Sequence, residues 1–180
     1  MSAGREALRL VRPSEEHRDA AEAFRQEFFD CGERTISGSA LLDRMSYPEW
    51  LAQTRRSSDP RAAWEDWVTA DTFFALREGD DALVGMVNIR HSLEVEFLAR
   101  WGGHIGYAVR PGERRKGYAT EMLRRALAHA RGLGLARVML GCHAENAASR
   151  RTILRCCGVL AECKPDPDGR MTEIYWIELA

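Results

Sequence analysis

Lysine is almost missing from this chain. Lys116 and Lys164 are the only two among 26 basic residues, and the rest are Arg. A bias towards Arg and Ala in the composition explains this more economically than function does. It makes a lysine inside a basic loop less incidental. Charge of one sign is missing too: 26 basic residues stand against 27 acidic ones, for a net charge of −1. That excludes a general nucleic-acid-binding role, which needs a strongly basic balance. No apolar run approaches the ~18 residues of a membrane span, and the N-terminal MSAGREALRL has no apolar core of signal-peptide length. The five cysteines are odd in number and lack paired C-x-x-C spacing. They read as free thiols of a reducing cytosol and leave no metal site to expect. Internal repeats, low-complexity tracts and linkers are absent, so residues 1–180 read as one cytoplasmic domain, large enough to bury most of its surface.

What is present concentrates between Gly103 and Arg131. Ile105, Tyr107 and Val109 alternate with smaller or polar neighbours, as in a strand, and Pro111 ends it. Arg114, Arg115, Lys116 and Gly117 then form a basic loop. From Ala119 the apolar residues fall on one face of a helix. A helix opening behind such a loop offers unpaired N–H groups and the positive end of its dipole, an arrangement that binds phosphate. Gly117 lets phosphate oxygens approach its backbone. Tyr118 and Ala119 follow where a Walker loop needs Lys and Ser/Thr, and no G-x-G-x-x-G lies nearby. ATP, GTP and dinucleotides are therefore poor fits.

A second pattern follows at a set distance. Val138–Cys142 is a short apolar strand of the kind buried on both faces. Asn146 then opens a helix that Gly158 ends. Locally, Asn146 and Ser149 could do no more than cap that helix.

Arg114-x-x-Gly117-x-Ala119 resembles the pyrophosphate loop of the GNAT superfamily, the acyl-CoA-dependent N-acetyltransferases, and the strand–Asn146–helix–Gly158 element is similar to that family's second CoA contact. Asn88-Ile-Arg-His91, Gly103-His-Ile-Gly-Tyr107, Arg114 to Met122 and Tyr175-Trp-Ile-Glu178 further resemble a bacterial group of predicted acetyltransferases with unassigned substrates. The resemblance implies an α/β (α+β) GNAT fold. Its central sheet would be mixed and mostly antiparallel, of about six to seven strands, flanked by helices. CoA would enter a splay between the fourth and fifth strands. It also implies acetyl-CoA as cosubstrate, no metal, and acetyl transfer to a primary amine by direct attack in a ternary complex. The partners implied are acetyl-CoA and an amine acceptor, with no nucleic acid and no membrane. A homodimer through the late strands is compatible with the sequence, which does not fix the oligomeric state.

Residue by residue, the resemblance assigns cofactor contacts to Val109, Arg114, Arg115, Lys116, Gly117, Tyr118, Ala119, Thr120, Asn146 and Ser149. Many relatives carry a general-acid Tyr seven residues after the Asn; Ile153 stands there, so the chain departs from the pattern. Ser149 becomes the candidate proton donor to the thiolate, with a capping hydroxyl as the alternative. The missing Tyr also keeps a non-catalytic acyl-CoA-binding or sensory protein open. Many relatives place a Glu before the loop strand; here His104 occupies that place, with His91 as rival general base. Cys142 could suggest an acyl-cysteine route, but direct transfer needs none. Trp50, Trp64 and Trp67 either pack irregular helices onto the sheet or line an acceptor pocket.

Along the chain, the pattern predicts a strand over 7–11 and a helix from Ser14 to about Asp30 with Ala20, Phe24 and Phe28 on one face. It then predicts short helices near 48–56 and 60–68, a hairpin of strands 72–77 and 83–91, and a last strand over 173–179. The 165–169 segment reads as a turn.

Overall fold

In a computed structural model, the described residues are 7–62 and 67–179. Seven strands and four α-helices follow in the order β1 (Leu8–Val11), α1 (Arg18–Asp30), α2 (Tyr47–Ser57), β2 (Ala70–Arg77), β3 (Leu83–Arg90), β4 (Ile105–Val109), α3 (Tyr118–Gly132), β5 (Arg137–His143), α4 (Ala147–Arg155), β6 (Val159–Pro165) and β7 (Met171–Glu178). The strands form two antiparallel sheets, β1-β2-β3-β4 and β5-β7-β6.

Each element has a local cause. The helix expected from Ser14 opens as a single 3-10 turn over Glu15–His17 before α1 begins. His17 Nδ1 accepts the Ser14 N–H, which fixes that turn. Phe24 and Phe28 enter the core as expected with Ala20 packed half-buried against it, and Ala21 joins them fully buried. α2 starts on a capping box in which Glu49 accepts both the N–H and the hydroxyl of Ser46. Of the helix expected near 60–68, residues 63–66, Trp64 among them, lie outside the described residues, and 60–62, 67 and 68 are turn, bend or irregular rather than helical. The 72–77 and 83–91 hairpin forms as expected.

β6 is the element the sequence pattern does not announce. It lies at a sheet edge and six of its seven residues are exposed. With no buried face it shows no alternation to read. The 166–169 turn joins it to β7, with the Gly169 N–H donating to the Asp166 carbonyl.

Two cores flank the sheets. One packs α3 against residues of both sheets, including Val87, Ile89, Val138 and Leu140. The other holds α1, α2 and the opposite face of β2–β3, with Phe24, Trp50, Phe74 and Met86. The stacked Trp50 and Phe74 rings, 5.4 Å apart, anchor α2 there.

The sheets meet at one joint. Gly103 bridges Leu140, and the His104 N–H donates to the Met139 carbonyl at 2.8 Å. A π-helical turn over Leu98–Gly102 delivers Gly103 to this contact with φ +66. A Cβ on Gly103 would stand 2.3 Å from the Met139 carbonyl oxygen, so only glycine allows the approach. Beyond the joint β4 and β5 share no ladder, and the splay between them opens the site.

Candidate active site

A cavity of about 1090 Å³ runs through the splay. Its walls are β3, β4 and β5, the first turn of α4 and the loop 33–44 laid over them. That loop is held down by glycine on glycine. A Cβ on Gly38 would lie 2.2 Å from the Gly106 carbonyl oxygen, and Gly38 has φ +70.

The basic loop stands where the strand-to-helix reading puts it. Pro111–Glu113 make a 3-10 turn, Arg115 has φ +67, and Gly117 begins α3 as its N-cap with φ +92. Nothing lies within 4 Å of the place a Gly117 Cβ would take, so its backbone faces open space. Val109, Arg114 and Ala119 line the cavity. Arg114 forks onto both oxygens of Glu33 at 2.7 and 2.9 Å, which raises its pKa. Lys116 donates to Glu113 at 2.8 Å. Arg115 is exposed and has no ion pair among the described residues. The Tyr118 and Thr120 side chains are buried, and Tyr118 packs in the α3-side core. Any part these two take at the cavity falls to their backbone.

Across the splay, Asn146 Oδ1 accepts the Ser149 N–H at 3.0 Å, so Asn146 does cap α4. The Ser149 hydroxyl meets the Tyr107 hydroxyl at 3.0 Å, and both line the cavity. Burial pushes the Tyr107 phenol up to about 12. Tyr107 therefore stays protonated at neutral pH and can donate a hydrogen bond to the Ser149 hydroxyl or accept one from it. Strand patterning puts Tyr107 on one face with Ile105 and Val109, and nothing local tells that its tip reaches α4.

The imidazoles sort differently from the sequence expectation. His104 is 5% exposed, and its Nδ1 accepts the Met139 N–H at 2.9 Å within the joint. Burial and then the charge of Arg90 lower its pKa to about 4. His91 Nε2 lies 2.9 Å from Asp71, which also holds His129 and Arg12 at 2.8 Å each. Neither His91 nor His104 is among the cavity walls. His143, at the end of β5, is the histidine that is. Its Nδ1 is 3.3 Å from the Thr172 hydroxyl and 3.6 Å from Asp166 Oδ2. The signal for it is its place three residues before Asn146, inside the second pattern itself.

Cys142 lines the cavity, but burial and then Glu173 push its thiol up to about 11. A protonated thiol is a weak nucleophile, which disfavours an acyl-cysteine route. Of the aromatics, Trp50 is fully buried, while Trp67 is 43% exposed on the cavity rim. Among the described residues, no group of three His, Cys, Asp or Glu is placed to hold a metal ion.

Comparison with known proteins places this arrangement. Residues 39–159, more than half of the chain, match the model of the acetyltransferase (GNAT) family, and the chain belongs to that family. It is an acetyl-CoA-dependent acyltransferase, with acetyl-CoA as cosubstrate. No curated protein is significantly similar to it. Among solved structures it is similar in fold to the microcin C7 self-immunity acetyltransferase MccE in complex with acetyl-CoA and AMP. That match has 15% identity, a TM-score of 0.70, and covers 95% of this chain and 92% of the other. It is also similar to RimL, a ribosomal L7/L12 alpha-N-protein acetyltransferase in complex with CoA, at 17% identity, TM-score 0.70 and 95% and 93% coverage. The spermidine/spermine N-acetyltransferase SpeG from Vibrio cholerae matches at 15% identity, TM-score 0.65 and 96% and 94% coverage.

Proposed function

We propose that the protein moves the acetyl group of acetyl-CoA to a primary amine, of a small molecule or a protein, by direct attack in a ternary complex. The observation that carries this reading is the Tyr107–Ser149 hydroxyl pair, set in the splay between the basic loop and the capped start of α4. The α3 N-terminus with Arg114, Arg115, Lys116 and Gly117 receives the CoA pyrophosphate, and Val109 and Asn146 flank the pantetheine arm. The amine nitrogen attacks the thioester carbonyl, and a backbone N–H of β4 near Val109 stabilises the oxyanion. The C–S bond then breaks, and the thiolate takes its proton from Ser149, which Tyr107 resupplies. The amine's proton passes to His143, with Asp166 behind it. His91 and His104 keep structural places in this scheme, because their hydrogen bonds lie away from the cavity.

In this reading the chain is a single domain working in the cytoplasm. Five free cysteines support that setting, and no described helix is long and apolar enough to cross a membrane. The outer edge of β6, with Val159 and Leu160 exposed, supports a homodimer formed through the late strands.

Thermal-shift measurements with acetyl-CoA, CoA, ATP and NAD test the donor site. Stabilisation by the CoA species alone is expected, followed by free-thiol release with one class of amine. No stabilisation at saturating CoA would reduce Arg114–Thr120 to an ordinary turn and sink the reading.

A further inference from the structure

Arg90 ends β3 on the cavity side of the sheet. Val87 and Ile89 belong to the α3-side core and Met86 to the opposite one, so strand alternation sends Arg90 away from α3. Its Nη1 donates to the carbonyls of Gly102 at 3.3 Å and Gly103 at 3.0 Å. These bonds use both protons of that nitrogen. No described acceptor reaches Nη2, and Nε is sealed from solvent without a partner. No described carboxylate pairs with the guanidinium. Burial, with no acid to offset it, lowers its pKa to about 10. Every other arginine that lines the cavity has an acid beside it: Arg114 has Glu33, and Arg44 has Asp43 at 3.7 Å. Tying down two carbonyls explains Nη1. It leaves the charge of this part-buried guanidinium without a described acid, Nε sealed and Nη2 open towards the cavity, and a half-desolvated cation with no counter-charge is costly.

Arg90 also points to the right place. Its Nη2 reaches the Gly38–Gly106 contact, 3.5 Å from where a Cβ on Gly106 would stand and behind Gly38 Cα and N at 3.0 and 3.1 Å, and Gly106 directly precedes Tyr107 on β4. Thr72 and Asn88 share this wall, bonded to each other at 3.1 Å, and bring no charge. On the loop above, Asp43 supplies the opposite pole. Its Oδ1 accepts the Ser39 hydroxyl at 2.6 Å, while Oδ2 has no hydrogen-bond partner on a side chain only 3% exposed.

We infer that the acceptor is an amino-acid-like zwitterion, a primary amine that also carries a carboxylate, and that this carboxylate is received at Nη2 of Arg90. The inference rests on the acetyl-transfer reading above and narrows its acceptor. A planar carboxylate matches a guanidinium edge with two oxygens, so it supplies the missing counter-charge and bonds together. A polyamine would bring a second positive charge to Arg90 and is excluded by the same wall.

The test compares free amino acids with their own amides, alongside a polyamine, by free-thiol release at saturating acetyl-CoA. The amide keeps the side chain and the amine but removes the charge. Its amine is also the less basic of the two, so intrinsic reactivity favours the amide and any preference for the acid comes from binding. At least a tenfold higher kcat/KM for the acids is expected in the wild type, which is about 1.4 kcal/mol. In Arg90→Gln the ratio should fall to about one, and in Arg90→Lys it should survive in part, since the charge remains and the fork does not. CoA should stabilise all three proteins equally against heat. Equal or better turnover of the amides, or thiol release from polyamines only, or from no carboxylated amine, overturns the inference while CoA stabilisation leaves the acetyl-transfer reading standing. Loss of CoA stabilisation in the wild type sinks that reading itself. Should Arg90→Gln fail to fold, the wild-type ratio alone decides.

Discussion

The two walls of the cavity are built on opposite plans. On the donor wall, around α3, the charges satisfy one another: Arg114 with Glu33, and Lys116 and Arg77 with Glu113. Arg115 is the exception, exposed and with no ion pair among the described residues; beyond it, what is on offer there is backbone, the free first-turn N–H groups of α3. On the acceptor wall, Arg90 has no described acid beside it, and Asp43 Oδ2 has no hydrogen-bond donor, only the Arg44 guanidinium at 3.7 Å. The donor wall can wait in water without strain because its ligand is always the same. The acceptor wall holds unmatched charge, which is where selectivity between acceptors can reside, since a group left unpaired by the wrong ligand is costly.

The contrast predicts different sensitivity to one added methyl group. In Gly38→Ala the new Cβ meets the Gly106 backbone at 2.2 Å, and the residue has φ +70. Overpacking and left-handed strain together should cost about 2–5 kcal/mol. Gly117→Ala has φ +92 but open space, so strain alone, about 1–2 kcal/mol, is expected. Urea midpoints measure both. Equal losses would mean that the loop is not clamped through Gly38 and that the acceptor wall is as tolerant as the donor loop.

The joint between the walls should be sensitive to pH. His104 has a folded pKa lowered to about 4 by burial, below its ordinary 6.5. The unfolded chain therefore binds the extra proton first. Stability from this group is full above pH 6.5 and drains as pH falls towards 4, by about 3 kcal/mol at most. His104→Gln should flatten that slope in denaturation curves taken between pH 7 and 4. An unchanged slope would show that the imidazole is not held neutral in the joint.

Catalysis should depend on residues that meet at the splay. Ser149→Ala is expected to lower kcat about a hundredfold, and Tyr107→Phe by less, because Ser149 keeps its hydroxyl. Activity of Ser149→Ala within a few-fold of wild type removes it as proton donor and leaves it a helix-capping residue. His143→Gln should abolish the acidic limb of the pH–rate profile, whereas His91→Gln and His104→Gln should retain it. A limb lost in either of the latter would return the base to that histidine.

The same contrast governs what can be read in advance. The donor wall is contiguous in sequence: strand, loop and helix start lie within 105–120, and backbone geometry follows from glycine, proline and apolar period. The acceptor wall is assembled over distance. Arg90 ends an ordinary hairpin strand, Asp43 sits in an irregular loop, and the pair Tyr107–Ser149 spans 42 positions. His104 lies just ahead of β4, where the pattern puts it, but the side to which it turns depends on a joint made by Gly103 and Met139. β6 leaves no trace in the pattern because an exposed edge strand has no buried face to impose alternation.

The smallest effect separates binding from folding on the donor wall. Arg114 and Glu33 are each about two-fifths exposed, at 42% and 41%. An ion pair in that position contributes about 0–1 kcal/mol, so Arg114→Ala should leave the urea midpoint nearly unchanged. Yet Arg114 lines the cavity beside the α3 N-terminus, where a pyrophosphate would compete with Glu33 for its fork. Arg114→Ala should therefore raise KM for acetyl-CoA about tenfold with little change in kcat, since the contact is the same in ground and transition states. Glu33→Gln should do the reverse and lower that KM slightly, because it frees the guanidinium. If Arg114→Ala changes stability but not KM, the fork belongs to Glu33 alone, and phosphate binding falls entirely to the backbone of Gly117 and the residues that follow it.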